Sequence, residues 1–253
     1  MSDFKKLHEN SQPLLIANVW DVASAKTAEK LGNQALGTSS AAIASMLGYQ
    51  DGEEMRFEEL EYIVQRICTA ISIPLSVDLE SGYSQDPAVI SNHIQRLAAL
   101  GVVGVNIEDS QVEKERDLLS ATQFASCISE VKKKLESRGI DMFINARTDS
   151  FLLGRSDAVE ESVRRIAQYE KAGVDGIFIP CAYQEHDIKA IVDCTKLPVN
   201  VMCMPGLPSF AILKDWGVKR ISMGNFLFDK MQTNHYQILG QIIEDNSFQK
   251  VFE

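Results

Sequence analysis

The sequence predicts a single (β/α)8 barrel, an α/β fold, over residues 1–253. Its length is close to the roughly 250 residues typical of such a barrel, and 45% of its residues are hydrophobic, enough for one large core. Eight short apolar segments also alternate with helical patterns. A doubly wound open sheet is the alternative, but no glycine-rich phosphate loop follows the first apolar segment.

The eight predicted strands are short and apolar on both faces, as expected for parallel strands covered on two sides. In chain order they are residues 14–20, 35–40, 74–80, 104–109, 142–148, 176–181, 197–203 and 220–225. Four of them follow a glycine that we expect to end a helix in the left-handed conformation, namely Gly32, Gly101, Gly173 and Gly217. Successive strand–helix units would each occupy roughly 35 residues.

Helices are predicted between these strands. The apolar residues of one segment are spaced four, three and four apart, which predicts an amphipathic helix containing Phe124, Ile128, Val131 and Leu135. Asp86 followed by Pro87 predicts a helix start, with the aspartate as N-cap. His93 lies on the apolar face of the helix predicted over 88–100, so we interpret it as a satisfied buried or boundary residue rather than a base.

Charge and cysteine content limit the class of protein. With 25 basic and 35 acidic residues the net charge is −10, which disfavours nucleic acid and anionic membranes but not a small anionic substrate. Five scattered cysteines without a C-x-x-C pair indicate reduced thiols in the cytoplasm. The N-terminal segment lacks the apolar stretch of a signal peptide. No apolar run approaches the roughly 18 residues that a membrane helix needs.

Polar side chains end several predicted strands, and in a barrel the chemistry lies at those carboxyl ends. They include Asp78, Glu80, Glu108, Asp109, Arg147, Asp149, Ser39 and Ser40, with Asp51 after a short loop and Trp20 ending the first strand. Asp78 and Glu80 are two residues apart, so on a strand they would point to the same face. Together with Glu108 they would repel one another without a cation, and oxygen-only ligands suit Mg²⁺.

Arg147 has two interpretations. It could form a structural ion pair with one of the neighbouring acids. As the lone cation near several acids, it is equally suited to bind a substrate carboxylate with two parallel hydrogen bonds.

The segments VDLESGYS, NIEDS and NARTDS, preceded by TSSAAIASMLGYQD, resemble the isocitrate lyase/phosphoenolpyruvate mutase superfamily. The similarity extends from about Ala17 to Gly224. The resemblance implies a barrel whose eighth helix is swapped between subunits of a homo-oligomer, a dimer or tetramer. It also implies Mg²⁺ and substrates that are 2-oxo acids or that release one as an enolate.

The resemblance assigns roles to individual residues. The implied metal site contains Asp78, Glu80 (where the family usually has aspartate), Glu108 and the outer Asp51. The implied substrate site contains Ser39, the backbone of Ser40 and Ala41, and Arg147 as the carboxylate-binding arginine. We add Trp20 to the substrate site because of its place at the end of the first strand.

The segment 108–120 departs from both branches of the superfamily. It lacks the Cys, Gly and His of the lyase lid, whose cysteine protonates the carbanion. Compared with the phosphonomutase pattern, Lys114 matches a lysine, but Arg116 replaces an asparagine and Glu113 a proline. We therefore predict a mobile, charged lid that brings Lys114 or Arg116 to the distal anion of the substrate.

These observations predict a Mg²⁺-dependent lyase that cleaves a carbon–carbon bond of a small 2-oxo acid or 2-hydroxy dicarboxylate. Oxaloacetate is the first expected substrate, because CO₂ departs without a proton and solvent can protonate the resulting enolate. Carbon–phosphorus chemistry on phosphonopyruvate and a non-catalytic metabolite-binding barrel are the alternatives. The general acid is not identified by the sequence.

Overall fold

A computed structural model describes residues 3–112 and 114–252. Eight parallel strands close into a barrel: β1 Leu14–Val19, β2 Ala35–Thr38, β3 Leu75–Asp78, β4 Gly104–Glu108, β7 Phe143–Arg147, β8 Gly176–Phe178, β9 Val199–Met202 and β10 Arg220–Ser222. Each lies within its predicted segment, and the predicted fold class is confirmed. Two further strands, β5 Ser110–Val112 and β6 Arg116–Leu118, form a separate antiparallel hairpin above β4.

The helices between the strands are α1 Asp3–Leu7, α2 Val22–Lys30, α3 Ser40–Leu47, α4 Phe57–Cys68, α5 Pro87–Ala99, α6 Ala121–Ser137, α7 Ala158–Ala172, α8 Glu185–Cys194, α9 Phe210–Asp215 and α10 Phe226–Asp245, followed by a 3-10 turn at Gln249–Val251. The predicted stripe of α6 is buried, and Asp86 caps α5 by accepting the Ala88 N–H at 2.8 Å. His93 is a structural residue, stacked on Phe57 and hydrogen-bonded to the Gly82 carbonyl oxygen.

The larger apolar core lies between the outside of the barrel and the helices. Outward-facing strand residues such as Val77, Val105 and Ile144 are fully buried there. Burial of each such side chain contributes about 1.5–3 kcal/mol. This layer holds the strands in register and so fixes the positions of the side chains at their carboxyl ends.

A second, smaller core closes the amino-terminal end of the barrel. Helix α1 inserts Phe4 among inward-facing strand residues, where its ring meets that of Phe143 edge-on at 5.4 Å. His8 stacks on the same Phe143 ring at 4.5 Å. A Cβ on Gly104 would lie 2.9 Å from the Phe4 ring, so glycine is required where Phe4 enters the barrel. Helix α1 with Phe4 thus forms an aromatic plug. The barrel is therefore closed at this end.

Polar side chains fill the middle of the barrel. Asn145 donates hydrogen bonds to Asn106 Oδ1 at 2.9 Å and Asn200 Oδ1 at 3.2 Å. Arg220 is only 2% exposed and lies 3.4 Å from both Ser76 Oγ and Asn106 Oδ1. Its Nε and Nη1 atoms have no hydrogen-bond partner among the described residues. This layer separates the apolar plug from the carboxyl-terminal rim.

Helix α10 follows the last barrel strand but packs poorly on its own barrel. Its only buried residue is Phe228. Large apolar side chains are exposed along its length, including Leu227, Met231, Tyr236 and Ile243. None of the helices in the described ranges is long and apolar enough to cross a membrane.

Candidate active site

The carboxyl-terminal rim gathers charged residues from adjacent strands. Asp78 ends β3, Glu108 ends β4 and Arg147 ends β7. Each stands two residues beyond a polar side chain of the middle layer, so strand alternation points all three toward the barrel axis. Glu108 and Arg147 are direct neighbours in the strand register, and Arg147 Nη1 lies 2.9 Å from Glu108 Oε2.

Only one of the two carboxylate oxygens of Asp78 has a hydrogen-bond partner among the described residues. Ser40 Oγ donates to Asp78 Oδ2 at 2.8 Å, and the Asp78 N–H donates to Thr38 Oγ1 at 2.9 Å. Its Oδ1 atom is buried without a partner among the described residues. Ser39 caps α3 through the Ala42 N–H, and the amides of the first two helical residues have no intrahelical acceptor and no other partner in the described part of the chain.

Glu80 reaches the site in a different way from the one predicted. Strand β3 ends at Asp78, and Glu80 lies in a turn with a left-handed φ of 50°, so strand alternation does not place it. Tyr83 Oη donates to Glu80 Oε1 at 3.2 Å, while Oε2 is buried without a partner in the described chain. Burial, with the charges of Asp51, Glu108 and Asp78, raises the pKa of Glu80 to about 8.

The hairpin carries Arg116 into the acid cluster. Arg116 Nη1 donates to Glu108 Oε1, to Ser110 Oγ at 3.0 Å and to Asp149 Oδ2 at 3.2 Å. Its Nη2 lies 3.2 Å from Asp51 Oδ2. We predicted that Arg116 reaches the distal anion of a substrate. In this structure its guanidinium pairs with the acids and ties the hairpin to them, and the assignment of Arg116 to the distal anion stays a prediction.

Two predicted residues do not contact this cluster. Lys114 is exposed at the hairpin turn without an ion pair to the described residues, and the neighbouring Glu113 lies outside those residues. Trp20 is buried with its ring edge-on to Phe228 at 5.2 Å, and it lines a cleft with Leu227. The assignment of Lys114 and Trp20 to catalysis and substrate binding stays a prediction.

Asp149 is a site residue whose role the sequence reasoning missed. It accepts from Arg147 Nε at 2.6 Å and from Arg147 Nη2 at 3.2 Å, and it is fully buried. Strand β7 ends at Arg147, so strand alternation does not place Asp149, and its contact with Arg147 appears only in the structure. Arg147 Nη1 also lies 2.9 Å from Glu108 Oε2, so these two acids engage at most three of the five guanidinium N–H groups and leave at least two for a ligand.

The cluster suits a magnesium ion by its chemistry but does not form a complete metal cage. Within the described ranges, no group of three or more His, Cys, Asp or Glu side chains has the spacing of a metal centre. Magnesium needs only one or two carboxylates, because water and substrate complete its shell. Asp78 Oδ1 and Glu80 Oε2 are buried oxygens without partners, as such ligands would be before an ion binds. The residues therefore fit Mg²⁺.

A large cavity of the described chain lies elsewhere. It measures about 790 Å³ and is lined at the amino-terminal end of the barrel by residues including His8, Asp175, Lys196 and Lys219. Catalytic groups of barrel enzymes lie at the opposite rim. We therefore assign the site by the arrangement of its charged groups and not by cavity size.

Comparisons with known proteins find relatives that match most of the chain. The family model described as phosphoenolpyruvate phosphomutase matches residues 4–243. A Mycobacterium tuberculosis protein of uncharacterised function is 32% identical, over 88% of this chain and 81% of its own length. An oxaloacetate decarboxylase from Paraburkholderia xenovorans is 29% identical, over 84% of this chain and 73% of its own. The crystal structure of a proposed phosphonomutase from Burkholderia cenocepacia superimposes with a TM-score of 0.88 at 33% identity, covering 94% and 97% of the two chains.

Proposed function

Because this chain belongs to the phosphoenolpyruvate mutase/isocitrate lyase superfamily, we propose that it is a Mg²⁺-dependent carbon–carbon lyase. Its substrate would be a small 2-oxo acid or 2-hydroxy dicarboxylate, and oxaloacetate is the first choice. The relatives named oxaloacetate decarboxylase support this choice. The reaction would pass through an enolpyruvate-like intermediate.

One observation carries the proposal. Two buried carboxylate oxygens without partners, Asp78 Oδ1 and Glu80 Oε2, belong to one acid cluster beside Arg147, whose guanidinium keeps two N–H groups free. A buried unsatisfied carboxylate oxygen is costly, and a divalent cation would remove that cost. A free pair of N–H groups next to it suits the carboxylate of a substrate.

Each residue of the candidate site has a proposed role. Asp78, Glu80 and Glu108 would hold Mg²⁺, with Asp51 at the outer edge. The ion would supply Lewis acidity where negative charge develops on the substrate. Arg147 and the free amides of Ser40 and Ala41 would bind and orient the substrate carboxylate, and they place fixed positive potential beside the reacting carbons.

The bond changes of decarboxylation need no acid side chain at the cleavage step. The bond between C3 and the distal carboxylate breaks, CO₂ leaves, and the electron pair remains on an enolate of pyruvate. The closed hairpin excludes water during this step, and solvent protonates C3 when the hairpin opens. This is consistent with a lid that has no cysteine between Asp78 and Cys127.

Carbon–phosphorus chemistry is the second candidate. The neighbour named as a phosphonomutase supports it. Arg116, in the position of the asparagine that the phosphonomutase pattern requires, weighs against it, because Arg116 pairs with Glu108 and Asp51. A non-catalytic metabolite-binding barrel is the third candidate and would bind 2-oxo acids without turnover.

We also propose that the chain works as a homo-oligomer, a dimer or tetramer, in the cytoplasm. The exposed apolar residues of α10 support association of copies through this helix, since such residues are costly in water. The proposed partner molecules are otherwise limited to a small anionic substrate. The five free cysteines support a reducing compartment.

The test is a panel of oxaloacetate, phosphonopyruvate, isocitrate and 2-methylisocitrate with Mg²⁺. We expect oxaloacetate to be the best substrate and the two citrate-like acids to react at least about 10²-fold more slowly than with a cysteine-bearing relative, because a positioned general acid typically contributes that much. Oxaloacetate also decarboxylates with Mg²⁺ alone, so protein-free reactions provide the baseline.

Asp78→Asn tests the metal site. It keeps the side-chain shape but removes a charge, so Mg²⁺-dependent turnover should vanish while the unfolding midpoint stays within a few degrees of wild type. Asp215→Asn, on the exposed end of α9, is the matched control and should behave like wild type. Turnover that survives excess chelator would contradict the metal assignment. Efficient phosphonopyruvate conversion would favour the second candidate.

A further inference from the structure

A buried polar network lies behind the acid cluster, on the outer side of the barrel wall. Asp109 Oδ2 accepts from Tyr169 Oη at 2.6 Å and from Arg165 Nη1 at 3.0 Å. Arg165 also pairs with Glu161 at 2.6 Å, and all four side chains are at most 5% exposed. The network joins the end of β4 to helix α7. It contains no residue of the proposed metal or substrate site.

Asp109 also connects three parts of the rim through its backbone and side chain. Its Oδ1 accepts the Asp149 N–H at 3.1 Å, and its N–H donates to the Arg147 carbonyl oxygen at 3.0 Å. Its carbonyl oxygen accepts the Leu119 N–H at 2.8 Å, where the hairpin segment rejoins the barrel. One fully buried residue therefore contacts the arginine strand, the turn after it and the base of the hairpin.

Asp149 forms the link from Asp109 to the free N–H groups of Arg147. Its two carboxylate oxygens bind Arg147 Nε and Nη2, and this pair sets the plane of the guanidinium. Ser110 Oγ, at the start of the hairpin, donates to Asp149 Oδ2 at 2.6 Å. A shift of the Asp149 backbone would therefore turn the guanidinium and change the direction of its remaining N–H groups.

We propose that Asp109, held by Tyr169 and Arg165, is a positioning residue for the substrate-binding arginine. It acts through Asp149 and sets the plane in which Arg147 meets the substrate carboxylate. The inference rests on the proposed function, because it concerns how a carboxylate substrate is held.

Fold stability alone does not account for this arrangement. A buried ion pair can often be replaced by apolar residues of similar volume without loss of stability. Apolar residues would pack α7 on the barrel, but they could not accept the Asp149 N–H or fix the orientation of a neighbouring carboxylate. The charged network is thus suited to hold geometry at the rim.

The experiment uses Tyr169→Phe, which removes one hydrogen bond to Asp109 and keeps the ring against Phe124. We expect the KM for oxaloacetate to rise about 3- to 10-fold, which lies within the range for coupling through a network, while kcat per folded molecule changes less than twofold. A merely structural role would lower the thermal midpoint but leave KM unchanged. Tyr62→Phe, at a 60% exposed tyrosine of α4, is the matched control and should change neither value.

A double-mutant cycle identifies the route. In the Arg147→Lys background, Tyr169→Phe should change KM less than twofold, because the group that it positions is gone. Asp109→Asn should show a larger KM rise than Tyr169→Phe where it folds, and the tyrosine variant keeps the test valid where it does not.

The outcomes separate this inference from the proposed function. An active wild type whose Tyr169→Phe variant keeps the wild-type KM, or raises it equally in the Arg147→Lys background, overturns the positioning role alone. A wild type that neither turns over any acid of the panel nor binds oxalate with Mg²⁺ in calorimetry overturns the proposed function, and the positioning role with it.

Discussion

His8 should make the stability of this protein depend on pH between about 4 and 6.5. Its ring is 5% exposed, stacked on Phe143, and Nδ1 bonds to the Phe4 carbonyl oxygen at 3.1 Å. A carbonyl oxygen only accepts, so Nδ1 carries the proton of the neutral ring, and Nε2 has no partner within residues 3–112 and 114–252. Burial lowers the pKa of His8 to about 4, and the nearby charge of Arg220 adds to this, while Asp175 opposes it.

The sign and the size of the effect follow from that pKa. Between pH 6.5 and 4 the unfolded chain binds a proton at His8 and the folded chain does not, so acid favours the unfolded state. The full difference of about 2.5 pH units corresponds to about 3 kcal/mol, of which about 2 kcal/mol is lost by pH 5. Above pH 6.5 the contribution is constant, and below about 4 no further stability is lost through this group.

Urea unfolding of wild type and His8→Phe at pH 7 and pH 5 tests the reasoning. Phenylalanine keeps an aromatic ring on Phe143 and cannot titrate, so the variant should lose about 2 kcal/mol less than wild type over this interval. Other groups titrate equally in both proteins and cancel in the comparison. His186→Phe, at an exposed position of α8, is the control and should follow wild type. Equal losses in wild type and His8→Phe would refute a buried neutral His8.

Three further predictions concern single arginines. Arg147→Lys keeps the charge but loses the planar fork, so substrate binding should weaken by about 1.5–3 kcal/mol, measured as KM or by calorimetry; wild-type binding would make Arg147 a structural ion-pair residue. Arg116→Gln removes the ion pairs that hold the hairpin on the acid cluster. Trypsin should therefore cut after Lys114 several-fold faster than in wild type. An unchanged rate would show that other contacts hold the hairpin. Arg220→Met removes a buried cation that pairs with no described carboxylate. The free energy of unfolding, measured by urea titration, should therefore stay level or rise by up to about 4 kcal/mol. A clear loss of unfolding free energy would show that ordered water or an ion satisfies Arg220.

The barrel itself could be predicted because its strands carry a strong signal. Buried parallel strands are apolar on both faces, and the left-handed glycines that precede several of them mark where helices end, as at Gly101 and Gly173. The hairpin gave no such signal. Its strands are three residues long, and Arg116–Leu118 carries two charges, so the segment was predicted only as a lid.

The sequence could predict which residues form the candidate site but not which hydrogen bonds and ion pairs join them. Asp78, Glu108 and Arg147 end neighbouring strands, and this could be inferred from segment order alone. The adjacent acids Glu108 and Asp109 face opposite sides of the wall, and only the register shows which one meets the rim. The inward position of Arg116 depends on how a short hairpin folds back, which local sequence patterns do not determine.

The aromatic plug formed by α1 closes one end of the barrel, which leaves the carboxyl-terminal rim as its opening. Under the proposed function, substrate and Mg²⁺ would enter at the carboxyl-terminal rim, and CO₂ and pyruvate would leave by the same route. The hairpin with Arg116 covers that route, so each turnover would require the hairpin to open, and the release of products would compete with the entry of the next substrate. Catalysis in a barrel with one covered opening would slow as solvent viscosity rises, because opening of the hairpin would limit the rate even where the bond-breaking step is fast.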